Sequence, residues 1–408
     1  MLRLITGRTG CGKTTRLYEI IKEKIEQGEE VTLIVPEQYS FHTEKKMLEL
    51  LGAKGADSVE VVSFSFLAKN LLKKYGLNSD KALDDSTRAI IMSVALDEIG
   101  DRLQVFGRHR YSPAVIKHIL KLIREFRQCA ITPELIREKL PTMEDSLLKN
   151  KMQEILLVTE TYTALVEQSF FDDECALDIL CRALDEKKDF LKKTVFIDGF
   201  RGFTAQEYKV LERIFVQADD VYVTLCVDSG NADGDFSAFA HTRRTKRRLI
   251  TTAQKNSVGV AVPEYLEKAD GGNAELAALE KGIYSGEYEI YDEPTENITL
   301  CSAEDIESEC EYVAHTVKRL IRTEGLRCRD IAIISRSESG YSRRIRSDLV
   351  QNGVPVFEDK RQPITSEPLT VFVAAALEIA SDGFSTDALM RLLKTGLTDL
   401  GIEEISRV

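Results

Sequence analysis

A glycine-rich loop near the N-terminus has the residue types that bind phosphate. Its sequence, Gly7-Arg8-Thr9-Gly10-Cys11-Gly12-Lys13-Thr14, fits the Walker A pattern in full. The backbone N–H groups of such a loop surround phosphate oxygens, its lysine contacts the β and γ phosphates, and its hydroxyl holds Mg²⁺. We therefore predict that all eight residues bind ATP, with Lys13 catalytic and Thr14 a Mg²⁺ ligand. The alternative is a glycine turn followed by Lys-Thr through chance.

A carboxylate later in the chain has the position of the second Mg²⁺ ligand. Asp198 follows the apolar run Thr194 to Ile197, which is typical of a buried strand. We predict that Asp198 is catalytic and assists with Mg²⁺. The next residue is Gly199, where hydrolysing enzymes of this type carry a glutamate that orients the attacking water. Hydrolysis is therefore in doubt unless Glu37 or Glu207 takes that role.

The elements around these residues alternate between strand and helix. Strands are predicted at Leu2 to Thr6, Val31 to Val35 and Val59 to Ser65, with a helix over Thr14 to Gln27. A strand over Asp220 to Val227 follows the Asp198 strand. This alternation predicts a parallel sheet with crossover helices.

Two further regions differ in character. Residues 81 to 192 are almost entirely helical in pattern, with Ser112-Pro113 and Thr132-Pro133 as helix starts. A second α/β pattern begins near Glu296, and it contains two helices and three predicted strands. Those strands are Ile298 to Ser302, Ile331 to Ser335, and Val354 to Phe357.

Composition adds bounds but does not select a function. The 408 residues carry a net charge of −12, which neither indicates nor excludes a nucleic-acid partner, because a basic groove can lie on an acidic body. The eight cysteines have no Cys-x-x-Cys spacing, so we interpret them as small buried residues. No apolar stretch is long enough to cross a membrane and no secretion signal is evident, so a cytoplasmic location is expected.

Several segments together resemble a known family. They are Leu4 to Thr14, Leu33-Ile34-Val35-Pro36-Glu37-Gln38, Val62 to Leu67, Phe196-Ile197-Asp198-Gly199-Phe200, Phe203 to Glu207, and Ile331 to Arg336. In this order they resemble the N-terminal part of AddB, the helicase-like subunit of the bacterial AddAB (RexAB-like) helicase–nuclease. The resemblance covers essentially the whole chain.

The resemblance implies a superfamily 1 helicase fold, an α/β class with a RecA-like P-loop sheet, an all-helical insertion and the start of a second RecA-like domain. The first RecA-like domain would comprise residues 1–80 and 193–286, with the insertion at 81–192. The second would comprise 296–365, followed by the start of a helical 2B-like insertion at 366–408. Family members continue into a nuclease region with an iron–sulfur cluster, which is not assigned to these residues.

The resemblance also implies roles for individual residues. Gln206 would be a catalytic residue that senses phosphate or couples to DNA, and Arg336 would contact the γ phosphate. Ser63 and Phe64 would belong to a motif that contacts single-stranded DNA. The implied partners are single- or double-stranded DNA and an AddA-type subunit in a heterodimer, with recognition of a short recombination signal, Chi. No membrane partner is implied.

Other interpretations stay open. The chain could be a stand-alone P-loop enzyme such as a small-molecule kinase, or a non-catalytic DNA-binding scaffold. The basic run Arg243 to Arg248 could contact DNA phosphates, although a solvated helix face is favoured. The stripe from Lys117 to Arg127 is interpreted as a phosphate contact or a solvated face. Tyr39 and Phe41 are candidates for base stacking, although core packing is favoured for Phe41.

Overall fold

The computed structural model divides into two compact units, Met1–Thr295 and Glu296–Val408, which are described separately. The structure describes residues 1–76, 83–144, 146–169, 175–228, 238–267, 273–285, 290–336, 338–358, 364–398 and 400–401. The predicted domain boundaries at residues 80–81 and 286 lie outside these ranges.

The first unit is built on a six-stranded sheet in which every pairing is parallel. Its strands are β1 (Leu2–Gly7), β2 (Val31–Ile34), β3 (Val59–Val62), β4 (Thr194–Ile197), β5 (Asp220–Cys226) and β6 (Glu264–Tyr265). Their order across the sheet is β3-β2-β4-β5-β1-β6. The predicted α/β class is confirmed, and the short edge strand β6 is an addition to the prediction.

Helices cover both faces of this sheet. They include α1 (Lys13–Glu26), α2 (Ser40–Ala56), α3 (Phe64–Lys74), α8 (Ala176–Lys187), α9 (Ala205–Gln217) and α10 (Ala240–Lys255). A further helix, α11 (Ala274–Ser285), follows β6 in the chain. Leu17 of α1 and Met47 of α2 pack in one core with Leu33 of β2. Helices α3, α8, α9 and α10 share a second core with alternate residues of the strands, because successive strand residues point to opposite faces.

In its described part, the region between β3 and β4 contains helices and connecting turns but no strand. Its further helices are α4 (Asp85–Glu98), α5 (Pro113–Gln128), α6 (Pro133–Lys139) and α7 (Leu147–Ser169). Ser112 and Thr132 are the N-caps of α5 and α6, as predicted. Helices α4, α5 and α7 form a core of their own, whereas α8, which lies within the predicted insertion, packs in the core of the sheet.

The second unit contains α12 (Ile306–Thr323), α13 (Glu338–Gln351), α14 (Pro368–Asp382) and α15 (Thr386–Leu393). Ala314 and Val317 of α12 pack against Leu349 of α13. The three strands predicted at 298–302, 331–335 and 354–357 are wrong: none of these segments is a strand in the described part of this unit. Leu300 and Ile334 are 97% and 94% exposed. An apolar run forms a strand only when a neighbouring strand accepts and donates its hydrogen bonds.

The cysteines differ from the prediction in part. All eight are free thiols. Cys181 and Cys310 are buried, but Cys129, Cys301 and Cys328 are exposed, so the interpretation as buried residues is wrong for these three. Burial raises the pKa of the Cys181 thiol to about 11, which keeps it protonated and unreactive.

Candidate nucleotide site at the carboxyl edge of the sheet

The phosphate loop connects β1 to α1. Gly12 is the N-cap of α1 and has φ 85° and ψ 14°, a left-handed conformation that glycine adopts without steric cost. The helix therefore starts with its first N–H groups directed toward the loop, where the positive end of the helix dipole favours an anion. The sequence places no acidic residue in the first turn of α1, so no carboxylate of that turn opposes negative charge.

The side chain of Lys13 lies over its own loop. Its Nζ donates to the carbonyl oxygen of Arg8 at 2.6 Å and lies 3.6 Å from Cys11 Sγ. Thr9 Oγ1 lies 3.4 Å from Cys226 Sγ at the end of β5, which ties the loop to the neighbouring strand. The loop thus holds the Lys13 ammonium group close to its own backbone. An ammonium group together with backbone N–H donors is the combination that neutralises a polyphosphate.

Asp198 and Thr14 are brought together from distant parts of the sequence. Thr14 Oγ1 donates to Asp198 Oδ2 at 3.0 Å, and Thr224 Oγ1 of β5 donates to Asp198 Oδ1. Asp198 is only 8% exposed, and its N–H donates to Ile34 O at 3.0 Å. Burial normally penalises a carboxylate, and the two hydroxyl hydrogen bonds offset that penalty, while the backbone hydrogen bond holds Asp198 at the end of β4. A hydroxyl and a carboxylate side by side are oxygen ligands of the kind that Mg²⁺ prefers.

Tyr18 of α1 lies near this carboxylate. Burial raises the pKa of the Tyr18 phenol, the charge of Asp198 raises it further, and a hydrogen bond with Thr43 opposes the shift. The phenol is therefore neutral at physiological pH. Sequence reasoning missed both Tyr18 and Thr224. A signal for Thr224 existed, since it is the polar residue inside the apolar run of β5.

Gly199 occupies the position next to Asp198 and cannot readily be replaced by an acid. Its φ is +81°, and a Cβ built there would lie 3.3 Å from Pro36 Cδ and 3.7 Å from Tyr39 Cδ2. A side chain here would meet both backbone strain and close contact with the segment that follows β2. The doubt about hydrolysis therefore has a structural basis beyond the missing carboxylate.

The two residues at the start of α9 have other partners. Gln206 is buried, and its Nε2 donates to Asp178 Oδ2 of α8 at 2.8 Å. Glu207 completes a capping box: its Oε2 accepts from Thr204 N at 2.6 Å while its own N–H donates to Thr204 Oγ1 at 3.2 Å. Glu207 therefore has a capping role that holds its carboxylate in place. The catalytic role of Gln206 stays a prediction.

The structure gives Ser63 and Phe64 structural positions at the start of α3. Ser63 is the N-cap of this helix, and its Oγ accepts from Phe66 N at 3.2 Å. Phe64 is 4% exposed, with ring centroids 5.6 Å from Phe200 and 6.1 Å from Phe203 in edge-to-face geometry. The predicted strand over Val59 to Ser65 is therefore too long, because the cap at Ser63 starts a helix.

Exposed aromatic side chains lie on the segments that follow β2 and β3. Tyr39 is 49%, Phe41 is 79% and Phe66 is 51% exposed. The expectation that Phe41 packs in the core is wrong, since α2 turns this position toward solvent. Strands β2 and β3 are hydrogen-bonded neighbours, so these segments leave the same edge of the sheet.

The basic segments are largely involved in ion pairs or ring contacts. Arg243 donates to both oxygens of Asp228 at 2.7 to 3.0 Å, and Arg248 stacks over the Tyr208 ring at 3.8 Å. In the helical region, Lys121 pairs with Glu125 of α5 at 3.7 Å. The interpretation of the Arg243 segment as a wholly solvated face is wrong for Arg243 itself, whose side chain is 11% exposed.

Arg336 belongs to the second unit, where it is exposed and follows residues 331–335, which form no helix or strand. Its role in phosphate binding stays a prediction. In the described part of the chain, none of the helices combines the length and the hydropathy needed to span a bilayer.

A parallel sheet of this strand order, with a Walker A sequence between β1 and α1 and a buried acid after β4, defines a RecA-like α/β protein. Comparison with known proteins agrees with the fold. Residues 4–280 match the family model described as ADDB, N-terminal, and the chain belongs to this family. The resemblance drawn from the sequence motifs is confirmed.

Curated relatives extend the match to nearly the whole chain. Proteins named as a subunit of an ATP-dependent helicase/deoxyribonuclease are 30% identical over 416 residues in Clostridium tetani (strain Massachusetts / E88) and 32% identical over 412 residues in Thermoanaerobacter sp. (strain X514). A protein of the same name in Clostridium botulinum (strain Loch Maree / Type A3) is 31% identical over 414 residues. Each alignment covers 99% of this chain but 36% of the relative, so the chain spans about a third of the length of these proteins.

Proposed function

We propose that this chain is the nucleotide- and DNA-binding part of a helicase–nuclease subunit that acts in double-strand-break repair by recombination. The observation that carries the proposal is the hydrogen bond between Thr14 and Asp198 at 3.0 Å. Two groups separated by 184 residues in sequence meet at the end of the glycine loop, as Mg²⁺-dependent phosphate binding requires. The names of the curated relatives support the same class of activity.

In this proposal the loop binds the triphosphate of ATP. The N–H groups of residues 7–14 and the Lys13 ammonium hold the phosphates. Thr14 and Asp198 would hold Mg²⁺, and both supply the hard oxygen atoms that this ion prefers. When bound, the ion would supply positive charge that offsets the negative charge of the phosphate oxygens.

Turnover of ATP by this chain alone is expected to be very slow or absent. Gly199 has no acid to orient water, and Glu207 is held in its capping box. Glu37 follows β2 and is the remaining acid considered from the sequence. Nucleotide binding would then serve to set the conformation of the subunit while an AddA-type partner supplies most of the motor activity.

Single-stranded DNA is proposed to follow the edge formed by the segments after β2 and β3. Bases stack on exposed aromatic rings with little dependence on sequence, and Tyr39, Phe41 and Phe66 provide such rings. Phe64 is buried, so its contribution to DNA binding would be to support α3 while Phe66 makes the contact. Recognition of Chi in the emerging strand and a cytoplasmic location complete the proposal.

A second candidate function is a DNA-binding scaffold that uses no nucleotide. The left-handed Gly199 packed against Pro36 favours it, because a site without a water-orienting acid has no need to turn over ATP. This candidate keeps the aromatic edge but predicts no binding of Mg·ATP. The small-molecule kinase alternative has no specific support among the residues that the structure describes.

Calorimetric titration with Mg·ATP separates these functions. Lys13→Ala should abolish binding, and Lys22→Ala is the matched control because Lys22 lies exposed on the same helix. Equal binding by both variants would refute the assigned pocket, and no binding by the unmodified chain would favour the scaffold. In parallel, a fluorescently labelled oligothymidylate should show salt-sensitive anisotropy. A flat titration at low salt would refute the DNA-binding edge.

A further inference from the structure

The phosphate loop contacts the start of a distant helix through one arginine. The guanidinium Cζ of Arg8 lies 5.8 Å from the centroid of the Phe239 ring. A hydrogen bond from Lys13 Nζ to the Arg8 carbonyl oxygen, at 2.6 Å, holds the Arg8 backbone in the loop. Phe239 is the residue before α10, so the loop and the start of α10 meet at this pair.

The start of α10 is fixed on its other side to the end of β5. The carbonyl of Phe239 accepts from Arg243 N at 2.8 Å and from Thr242 Oγ1 at 3.1 Å. Arg243 in turn makes the nearly buried, two-pronged ion pair with Asp228, which follows β5. A change at the Phe239 ring therefore acts on a segment that lies between the loop arginine and this ion pair.

The ring contact is weak compared with what a phosphate offers. A cation–π pair near the 6 Å limit of its range is worth a factor of about 2 to 5 in an equilibrium constant. A charge-assisted hydrogen bond from arginine to phosphate is worth on the order of tenfold or more, and arginine makes such bonds in pairs. Because one guanidinium cannot saturate both partners, phosphate in the loop would outcompete the ring.

We infer that Arg8 is a two-position switch: it stacks on Phe239 when the loop holds no phosphate and turns to the triphosphate when ATP binds, releasing the start of α10. This inference rests on the proposed nucleotide site. Helix α10 carries five basic residues between positions 243 and 248, so occupancy of the loop would be transmitted to a strongly basic helix. Thermodynamic linkage makes the effect reciprocal. If phosphate binding weakens the contact between Arg8 and the Phe239 ring, that contact lowers the affinity for phosphate by the same factor.

Reciprocity gives an unusual test, in which removing a contact improves binding. Phe239→Leu should tighten binding of Mg·AMP-PNP, measured by calorimetry, by about 2- to 5-fold. In an Arg8→Gln background the same Phe239→Leu change should have no effect on affinity. Weaker binding by Phe239→Leu, or an equal gain in both backgrounds, would overturn the switch.

A second measurement does not depend on affinity. The chain contains no tryptophan, so Phe239→Trp introduces a single indole at the contact. Saturation with Mg·AMP-PNP should change the fluorescence emission spectrum of this indole. The spectrum should then match that of the nucleotide-free double variant Phe239→Trp, Arg8→Gln, in which the contact is absent. An unchanged spectrum at saturation would overturn the switch. If the unmodified chain gave no binding heat with Mg·AMP-PNP, both the proposed nucleotide site and the switch would be refuted. If it gave binding heat but the Phe239 variants behaved like the unmodified chain, only the switch would be refuted.

Discussion

The neighbouring residues Phe64 and Phe66 provide a test of how α3 serves DNA binding. Phe64 is 4% exposed and lies edge-to-face with Phe200 and Phe203, at centroid distances of 5.6 and 6.1 Å. Truncation of a buried phenylalanine costs about 3–5 kcal/mol, and each aromatic pair contributes about 0.5–1.5 kcal/mol of that. Phe64→Ala should therefore lower the free energy of unfolding by about 3–5 kcal/mol, measured by urea denaturation followed by circular dichroism.

Phe66→Ala should show the opposite pattern. The side chain is 51% exposed, so its loss should reduce the free energy of unfolding by about 1 kcal/mol at most. A base stacked on an aromatic ring contributes about 1–3 kcal/mol, which corresponds to a loss of roughly 5- to 150-fold in affinity for single-stranded DNA. Fluorescence anisotropy of a labelled oligothymidylate at fixed salt measures this loss.

A conservative variant provides the control. Phe64→Leu keeps most of the buried volume and should keep DNA affinity close to that of the unmodified chain, while stability falls by about 1–2 kcal/mol. If Phe64→Leu retained full stability but lost DNA affinity, and Phe66→Ala bound DNA normally, the ring of Phe64 would be the DNA contact and the structural reasoning would be refuted.

Three further predictions concern the nucleotide site and its supports. Gly199→Glu should lower the free energy of unfolding by about 1–2 kcal/mol, because φ at this position is +81°. It should not raise the rate of phosphate release from ATP. Gly199→Ala is the control for backbone strain, and rapid ATP turnover by the glutamate variant would contradict this prediction. The hydrogen bond from Lys24 lowers the pKa of Glu29 below its ordinary 4.5, so its contribution to stability is present above that pH and is lost as pH falls through the lowered value. The stability difference between the unmodified chain and Glu29→Gln, from urea titrations at several pH values, should therefore shrink in acid, and a constant difference would contradict this. Saturating Mg·ATP should slow maleimide labelling of Cys11 but not of the exposed Cys129, as mass spectrometry would show; equal rates would place the nucleotide elsewhere.

The sequence was sufficient for the strands β1 to β5 of the sheet because these strands carry a strong local signal. Runs such as Val31–Ile34 and Thr194–Ile197 are fully buried, and uniform burial leaves an uninterrupted apolar pattern. The proximity of Thr14 to Asp198 was predictable for a different reason: the Walker A spacing identifies one partner, and an aspartate at the end of a buried strand is its expected complement. The short strand β6 was not predicted, because its two residues are too few to show a periodic pattern of apolar residues.

Other features depend on contacts that no local pattern contains. The apolar run 331–335 has the composition of a strand, yet composition cannot supply the neighbour that a strand needs. Phe64 and Phe66 are indistinguishable by residue type, and only the N-cap at Ser63 decides which one faces Phe200. The pairing of Thr224 with Asp198 arises from the register between β4 and β5, which tertiary packing sets.

The position of β1 in the sheet has a consequence for biosynthesis. Among the residues that the structure describes, β1 is paired with β5 and β6. Leu2 can therefore pair only after Val221 has been made, and Ile5 can pair with β6 only after Glu264 has been made. The ribosome makes chains from the N-terminus, so β1 is translated well before its partner strands. By contrast, β2 and β3 are separated by one α-helix and can pair soon after both are made. The loop between β1 and α1 is thus translated before β5 and β6, and it acquires its final shape only after those strands have been made. A nascent chain that stalls before Asp220 would display β1 as a lone apolar strand, open to chaperones or to aggregation.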